Sequence, residues 1–338
     1  MNKNESLEIK GIAILMMLFL HLFNTSANVA LCEPLLNFWN GKPLVLAMSR
    51  IAAFCVPIYI FISGYGLAIT YEKKNKMNNI NRSFRLYVNY WIVFLLFIPL
   101  ACLICPEKYP RSFSIFLKNF IGWECSYNYE WWFLFPYLIL ALCSSFILSF
   151  LYRLNKRQSI NTLILLFILY LAVNISGKFL KAILAEFHSI QQLFWIISLS
   201  FMFVCGAMFA RYSLFQKMKN SVRNKKKYNL LLASILIGLL IIRMMLGPSI
   251  INPLFVVPFL ICFLCMDRPL WLCSFLRYFG HHSTNMWLTH TFFAYYLFQD
   301  LIYGFRYPII IYIVLILVSL GSSYIIQWIN KPIQKLMA

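Results

Sequence analysis

The stretch Ile9-Lys10-Gly11-Ile12-Ala13-Ile14-Leu15-Met16-Met17-Leu18-Phe19-Leu20-His21 decides how this chain is read. Between one lysine and one histidine every residue is apolar or glycine, and the run continues to Ser26. Nine further apolar runs follow: Leu44–Tyr71, Leu86–Cys105, Trp131–Tyr152, Ile160–Asn174, Leu193–Ala210, Tyr228–Leu246, Ile250–Met266, Thr284–Ile302 and Pro308–Ile329. About 20 residues of helix cross the ~30 Å hydrocarbon layer. Most runs have that length; Ile160–Asn174 and Ile250–Met266 are short. In lipid the backbone must satisfy its own hydrogen bonds, which points to helices. Hydrophobic residues make up 62% of the 338 and charged ones 12%, far from the balance of a soluble domain. The expectation is an all-α, polytopic integral membrane helical bundle of about ten transmembrane helices. Residues 1–338 form a single membrane-embedded domain with no soluble appendage in this reading.

The formal net charge of +20 raises nucleic acid as a partner, but the distribution of the charge argues against it. Basic residues sit in short gaps between apolar runs. With the N-terminus in the cytoplasm, inner segments hold 21 of them, among them Lys3, Lys10, Lys73, Lys74, Lys76, Arg82, Arg85, Arg223, Lys225 and Lys226. Outer segments hold eight: Lys42, Arg50, Lys108, Arg111, Lys118, Lys178, Lys181 and Arg306. This asymmetry places both termini in the cytoplasm. The first run is read as a retained span, because its cleavage site is poor and it carries His21. The ten cysteines lie mostly in apolar runs and serve as small packing residues. Their two CxxC pairs lack the hydrophilic flanks of a zinc ribbon, so no metal is expected. Cys105 and Cys125 share an outer loop, and their pairing is left open.

An ionisable residue inside a bilayer is a functional candidate. Lys10 and His21 are eleven positions apart, about three helical turns, so they share a face ~16 Å apart along the axis. Lys10 would sit at the inner edge and His21 past mid-membrane. Such a stripe suits a long ligand with an anionic head and a reactive tail; a snorkelling lysine and a packing histidine are the plain alternative. Arg82 and Arg85, three apart before the third span, meet on one face and could clamp phosphates. Ser283 and His290 share a face ~10 Å apart, with Ser283 also placed to cap the ninth span. Glu130 precedes Trp131 and Trp132 at the outer start of the fourth span, where a carboxylate on an aromatic platform suits sugar hydroxyls or base catalysis. Arg243, near the outer end of the seventh span, is a candidate for lining a cavity, and Arg50 resembles it.

Four segments, in the same order and at comparable positions, resemble the acyltransferase family 3 membrane proteins, the O-acyltransferases of bacterial surface polysaccharides. Ile9–His21 resembles the family's basic residue, ten positions and histidine in the first span. Val56-Pro57-Ile58-Tyr59-Ile60-Phe61-Ile62-Ser63-Gly64-Tyr65 resembles its Phe-x-x-Ser-Gly segment, and Arg82 and Arg85 fall where the family carries Arg-x-x-Arg. Trp132-Phe133-Leu134 resembles its Trp-Phe-Leu motif. Tyr278 to Ser283, continuing through Trp287-Leu288-Thr289-His290, resembles its Gly…Ser-x-x-x-Tyr-Leu-x-His ending. Two departures stand out: Lys10 replaces the usual arginine, losing bidentate geometry, and Trp287 replaces tyrosine.

The resemblance implies an acyl-CoA donor, most often acetyl-CoA, on the cytoplasmic side of a cell membrane. Its phosphates would meet Arg82, Arg85 and Lys10, with Ser283 and His290 also in the donor-binding set. His21 would act as general base or transient acyl carrier, and Glu130 with the tryptophans would receive a surface polysaccharide or lipid-linked glycan from outside. Membrane lipids surround the whole chain. The acylated position, the acceptor and the oligomeric state leave no mark in the sequence. The alternative is an exporter or flippase of a glycan or lipid-linked glycan; its usual two-half repeat is not seen.

Overall fold

The computed structural model describes residues 1–74, 77–110, 112–222 and 226–336. Of the loop cations counted above, Lys76, Arg111, Arg223 and Lys225 lie outside the described residues, as do the side chains of Lys74 and Lys226.

The chain is 85% helical with no strands among the described residues. In order come α1 (Lys3–Phe23), α2 (Ser26–Ala30), α3 (Leu44–Ala52), α4 (Cys55–Lys74), α5 (Asn79–Ile104) and α6 (Phe113–Phe120). A 3-10 turn, Tyr129–Phe133, leads into α7 (Leu134–Leu142) and α8 (Ser144–Arg153). Next are α9 (Lys156–Phe179), α10 (Lys181–Glu186), α11 (His188–Arg211), α12 (Leu214–Val222), α13 (Lys226–Met245) and α14 (Asn252–Cys265). The last are α15 (Leu270–Thr291), α16 (Gln299–Tyr303) and α17 (Pro308–Leu336).

Among the described residues, seven helices are long and apolar enough to cross a membrane, and a bent pair makes an eighth. That pair is the fourth apolar run, which bends by 53° between α7 and α8 instead of crossing as one rod. The remaining two runs are the short α14 and the latter part of α15 onward, so a count of ten rests on them alone. α15 also corrects the ninth span: it starts at Leu270, well before Thr284, and ends at Thr291, where a π turn, Phe292–Tyr296, takes over.

Two helix pairs are knitted by glycine. A Cβ on Gly11 would lie 2.0 Å from the Leu276 carbonyl oxygen, and one on Gly280 would lie 2.1 Å from that of Leu7. Each glycine thus meets the carbonyl four residues before the other, and because Glu8 reaches Arg277 while His21 lies against His290, at the same offset in sequence, α1 and α15 run side by side in the same direction. α4 and α11 repeat the device: Gly64 meets the Phe203 carbonyl at 1.9 Å and Gly206 that of Phe61 at 2.0 Å. Small residues let helices in lipid approach to backbone contact, where van der Waals packing and Cα–H···O contacts replace the missing hydrophobic drive.

At its N-terminal end α1 is fixed by polar contacts. Asn2 and Glu5 form a capping box, and Glu5 also pairs with Lys219. Glu8, buried, meets Arg268 at 3.1 Å and Arg277 of α15 at 3.7 Å. The interior holds two apolar cores, and Val56, Tyr59, Phe133 and Tyr137 touch both. All ten cysteines are free, Cys105 and Cys125 included.

Candidate active site

The seam between the two cores opens into a cavity of about 160 Å³. α1 contributes Ser6, Lys10 and Met17, spaced to lie on one helical face. α4 contributes Tyr59, Ser63 and Gly66, α5 gives Arg82, and α15 gives Ser283 and Trp287. Three of the expected residues, Lys10, Arg82 and Ser283, are therefore brought to one cavity.

Its electrostatics are one-sided. Among the described residues no acidic one lines it. The carboxylates nearest in sequence are spent elsewhere: Glu5 on Lys219, Glu8 on two arginines, and Glu72 on the Tyr152 hydroxyl at 2.6 Å. The walls next to the cations are hydroxyl-rich. Tyr59 donates to the Lys10 carbonyl at 3.3 Å, and Ser63 to the Tyr137 hydroxyl at 3.3 Å. Two cations among neutral donors, with no acid to neutralise them, suit an anion.

Arg85 does not join them. Both arginines are exposed, but Arg85 lies outside the lining although it is three residues from Arg82. Ser283 does not cap a helix. It lies in mid-α15 and donates to the Gly280 carbonyl at 2.9 Å. Arg243 is buried away from this cavity, bonded to Asn252 at 2.8 Å and to the Leu246 carbonyl at 2.7 Å. Arg50 likewise bonds the Met244 carbonyl at 2.6 Å, which ties α3 to the end of α13.

The cavity lining ends one helical turn short of the two histidines. His21 follows Met17 on α1, and His290 follows Trp287 on α15. Because the two helices are parallel and in register at their glycines, residues ten further on come level. The His21 and His290 rings accordingly lie with centroids 5.0 Å apart, tilted by 52°. His21 is partly exposed and His290 fully buried.

Beyond the histidines lies a polar lattice. The π turn after α15 points two adjacent tyrosines at different partners. Tyr295 lies 3.3 Å from His21 Nδ1 and donates to the His21 carbonyl. Tyr296 donates to Glu130 Oε2 at 2.9 Å. The segment around Glu130 is clamped to α15: Asn128 and Thr291 share two hydrogen bonds, Trp131 Nε1 donates to the Leu288 carbonyl at 3.0 Å, and Trp287 Nε1 to the Glu130 carbonyl at 3.4 Å. Glu130 is thus linked to the histidine pair through neighbouring tyrosines, with no direct contact to it.

On the Glu130 side a groove of about 730 Å³ is lined by Tyr129, Lys178, Lys181, Gln191 and Trp195. Asn174 and Ser198, joined at 2.9 Å, line both this groove and an inner cavity of about 210 Å³. That inner cavity shares Val56 with the cation-lined one.

Tyr59, Tyr137, Tyr295, Tyr296 and Asn128 were not singled out from sequence. One available signal was the repeated interval from glycine to histidine, Gly11 to His21 and Gly280 to His290, which is ten residues in both helices. Among the described residues no cluster of three or more His, Cys, Asp or Glu could hold a metal ion.

The family model of the acyltransferase domain, acyltransferase family 3, matches residues 4–328, and the chain belongs to that family. It is a multi-pass membrane acyltransferase. Comparison with curated proteins found no match, nor did comparison with solved structures.

Proposed function

We propose that this acyltransferase moves a short acyl group, acetyl, from cytoplasmic acetyl-CoA to a hydroxyl of a cell-surface glycan or its lipid-linked precursor, with the whole chain acting as one domain in the cell membrane. The observation that carries this reading is the cation-lined, acid-free cavity that stops one turn below His21. The donor's phosphates are polyanionic and stay at the mouth, held by Lys10 and Arg82; Arg85 adds long-range attraction from outside the lining. Lys10 contributes a point charge where an arginine would give a fork. The thin, uncharged pantetheine arm suits the narrow space past Tyr59, Ser63 and Ser283, which presents hydroxyls and no charge.

His21 is then the base. His21 is the less buried residue of the pair and lies one helical turn past the cavity lining. Next to Glu130 in sequence, Tyr129 enters the groove that also holds Trp195 and Gln191, which offers aromatic faces and amides to a sugar. Lys178 and Lys181 add positive charge there, which suits an acceptor carrying phosphate or carboxylate.

The test is acetyl transfer from radiolabelled acetyl-CoA into membranes containing the protein. Label on a glycan is expected. Movement of an unmodified glycan without label would turn the reading into that of an exporter.

A further inference from the structure

The hydrogen bonds around the two histidines fix where their protons are. Tyr295 has a single hydroxyl proton and donates it to the His21 carbonyl. Towards His21 Nδ1, 3.3 Å away, the same oxygen can only accept, so His21 carries its proton on Nδ1. His290 Nδ1 faces the Met286 and Trp287 carbonyls at 3.2 and 2.8 Å. Carbonyls only accept, so His290 is protonated on Nδ1 as well. Both rings therefore present Nε2 as a lone pair.

His290 Nε2 is buried and has no hydrogen-bond partner among the described residues. Buried polar atoms are nearly always paired, and an orphan calls for an explanation. The His21 and His290 rings, with centroids 5.0 Å apart, make no hydrogen bond to each other while both are neutral. One added proton changes that. A protonated His21 would have an N–H on Nε2, and the neighbouring ring, 5.0 Å away between centroids, carries the unsatisfied acceptor, His290 Nε2.

We propose that His290 is a positioning residue of acyl transfer that acts through His21, receiving the hydrogen bond of the His21 imidazolium. This rests on the reading of His21 as base. His21 Nε2 takes the proton of the acceptor hydroxyl as that oxygen bonds to the acyl carbon. The carbon–sulfur bond breaks, its electron pair leaves on sulfur, and His21 returns the proton to sulfur to give the free thiol. His21 is charged only between those two proton transfers. His290 contributes only in that interval, so it favours the transition state over the bound substrates. Tyr295 and the Met286 and Trp287 carbonyls hold both rings in the tautomer this requires. His290 thereby leaves the donor-binding set in which its sequence position placed it.

The experiment compares His290→Leu with His290→Gln in acetyl transfer and examines both histidines by nitrogen-15 NMR of the whole protein. His290→Leu should lower kcat on the order of 10–100-fold, with KM for acetyl-CoA unchanged. Glutamine supplies a carboxamide oxygen as acceptor and should restore part of the loss. In the wild type both rings should show Nδ1–H and a bare Nε2. A raised KM with unchanged kcat would make His290 a donor-binding residue and overturn the proposal. Equal losses in both variants, or an unchanged rate in His290→Leu, would overturn it too. The NMR arm stands apart from activity: a wild type that transfers no acetyl defeats the functional reading, whereas a proton on His290 Nε2 defeats the pairing alone.

Discussion

Two helix pairs in this molecule share one device and carry different contents. α1·α15 and α4·α11 are both parallel pairs in which reciprocal glycines admit the partner's carbonyl. Past its glycines, α1·α15 sets two imidazoles level with each other. Around Gly206, α11 buries only apolar residues, among them Phe203, Cys205, Ala207 and Ala210. The knit supplies close approach and register; the side chains ten residues on decide whether a pair is scaffold or chemistry. Register is what a histidine pair needs, because a shift of one residue turns a helical side chain by about 100°.

The sharpest way to break this comparison is at the histidines. His21→Ala should reduce acyl transfer about 10²–10⁴-fold while the protein stays in the membrane. Phe203→Ala, in the other pair, should lower thermal stability and leave the rate per folded molecule close to wild type. Equal loss of rate in both would erase the distinction.

The glycines sharpen it, because Gly11→Ala and Gly206→Ala place a methyl group at the same 2.0 Å from a backbone oxygen. Overpacking of this kind costs about 1–3 kcal/mol, and both variants should melt earlier by similar amounts. Only Gly11→Ala should also lower kcat, since only there does the separation carry two rings apart.

Next come the cations. Lys10→Ala and Arg82→Ala should each raise KM for acetyl-CoA about tenfold, the scale of one charge-assisted hydrogen bond, with kcat little changed. Arg85→Ala should change KM by about twofold or less, as expected for a charge that lies outside the cavity lining and acts on the phosphates only at a distance through screening solvent. A titration of acetyl-CoA against rate separates the three. The smallest effect belongs to Tyr296→Phe, which removes the donor to Glu130. It should cost about 1 kcal/mol in thermal unfolding.

Much of this was legible before the structure. The Lys10–His21 stripe follows from helical period alone, since α1 is an uninterrupted helix and nothing disturbs its phase. Arg82 and Arg85 were legible as a pair but not as unequal partners, because a spacing of three says which face they share and not how wide the cavity mouth is. α15 was misjudged for a physical reason. Its first half carries Arg277, His281 and His282, which read as a polar loop. In the fold Arg277 meets Glu8, and His282 bonds Ser323 of α17 at 2.9 Å. Partners distant in sequence made Arg277 and His282 tolerable in a helix, and Ser283 lost its expected cap as a result. Tyr295 and Tyr296 stayed hidden because they lie within the π turn, which breaks the helical phase. Glu130 was legible as a carboxylate beside two tryptophans, but its tyrosine partner lies 166 residues away in sequence.

The most direct test of the central claim measures two quantities on membranes holding either the wild type or His21→Ala: binding of acetyl-CoA, and transfer of its labelled acetyl group. Both proteins should bind the donor, because Lys10 and Arg82 lie at the other end of the cavity, and only the wild type should transfer label. Transfer at the wild-type rate by His21→Ala would contradict the account, as would a wild type that neither binds acetyl-CoA nor incorporates label.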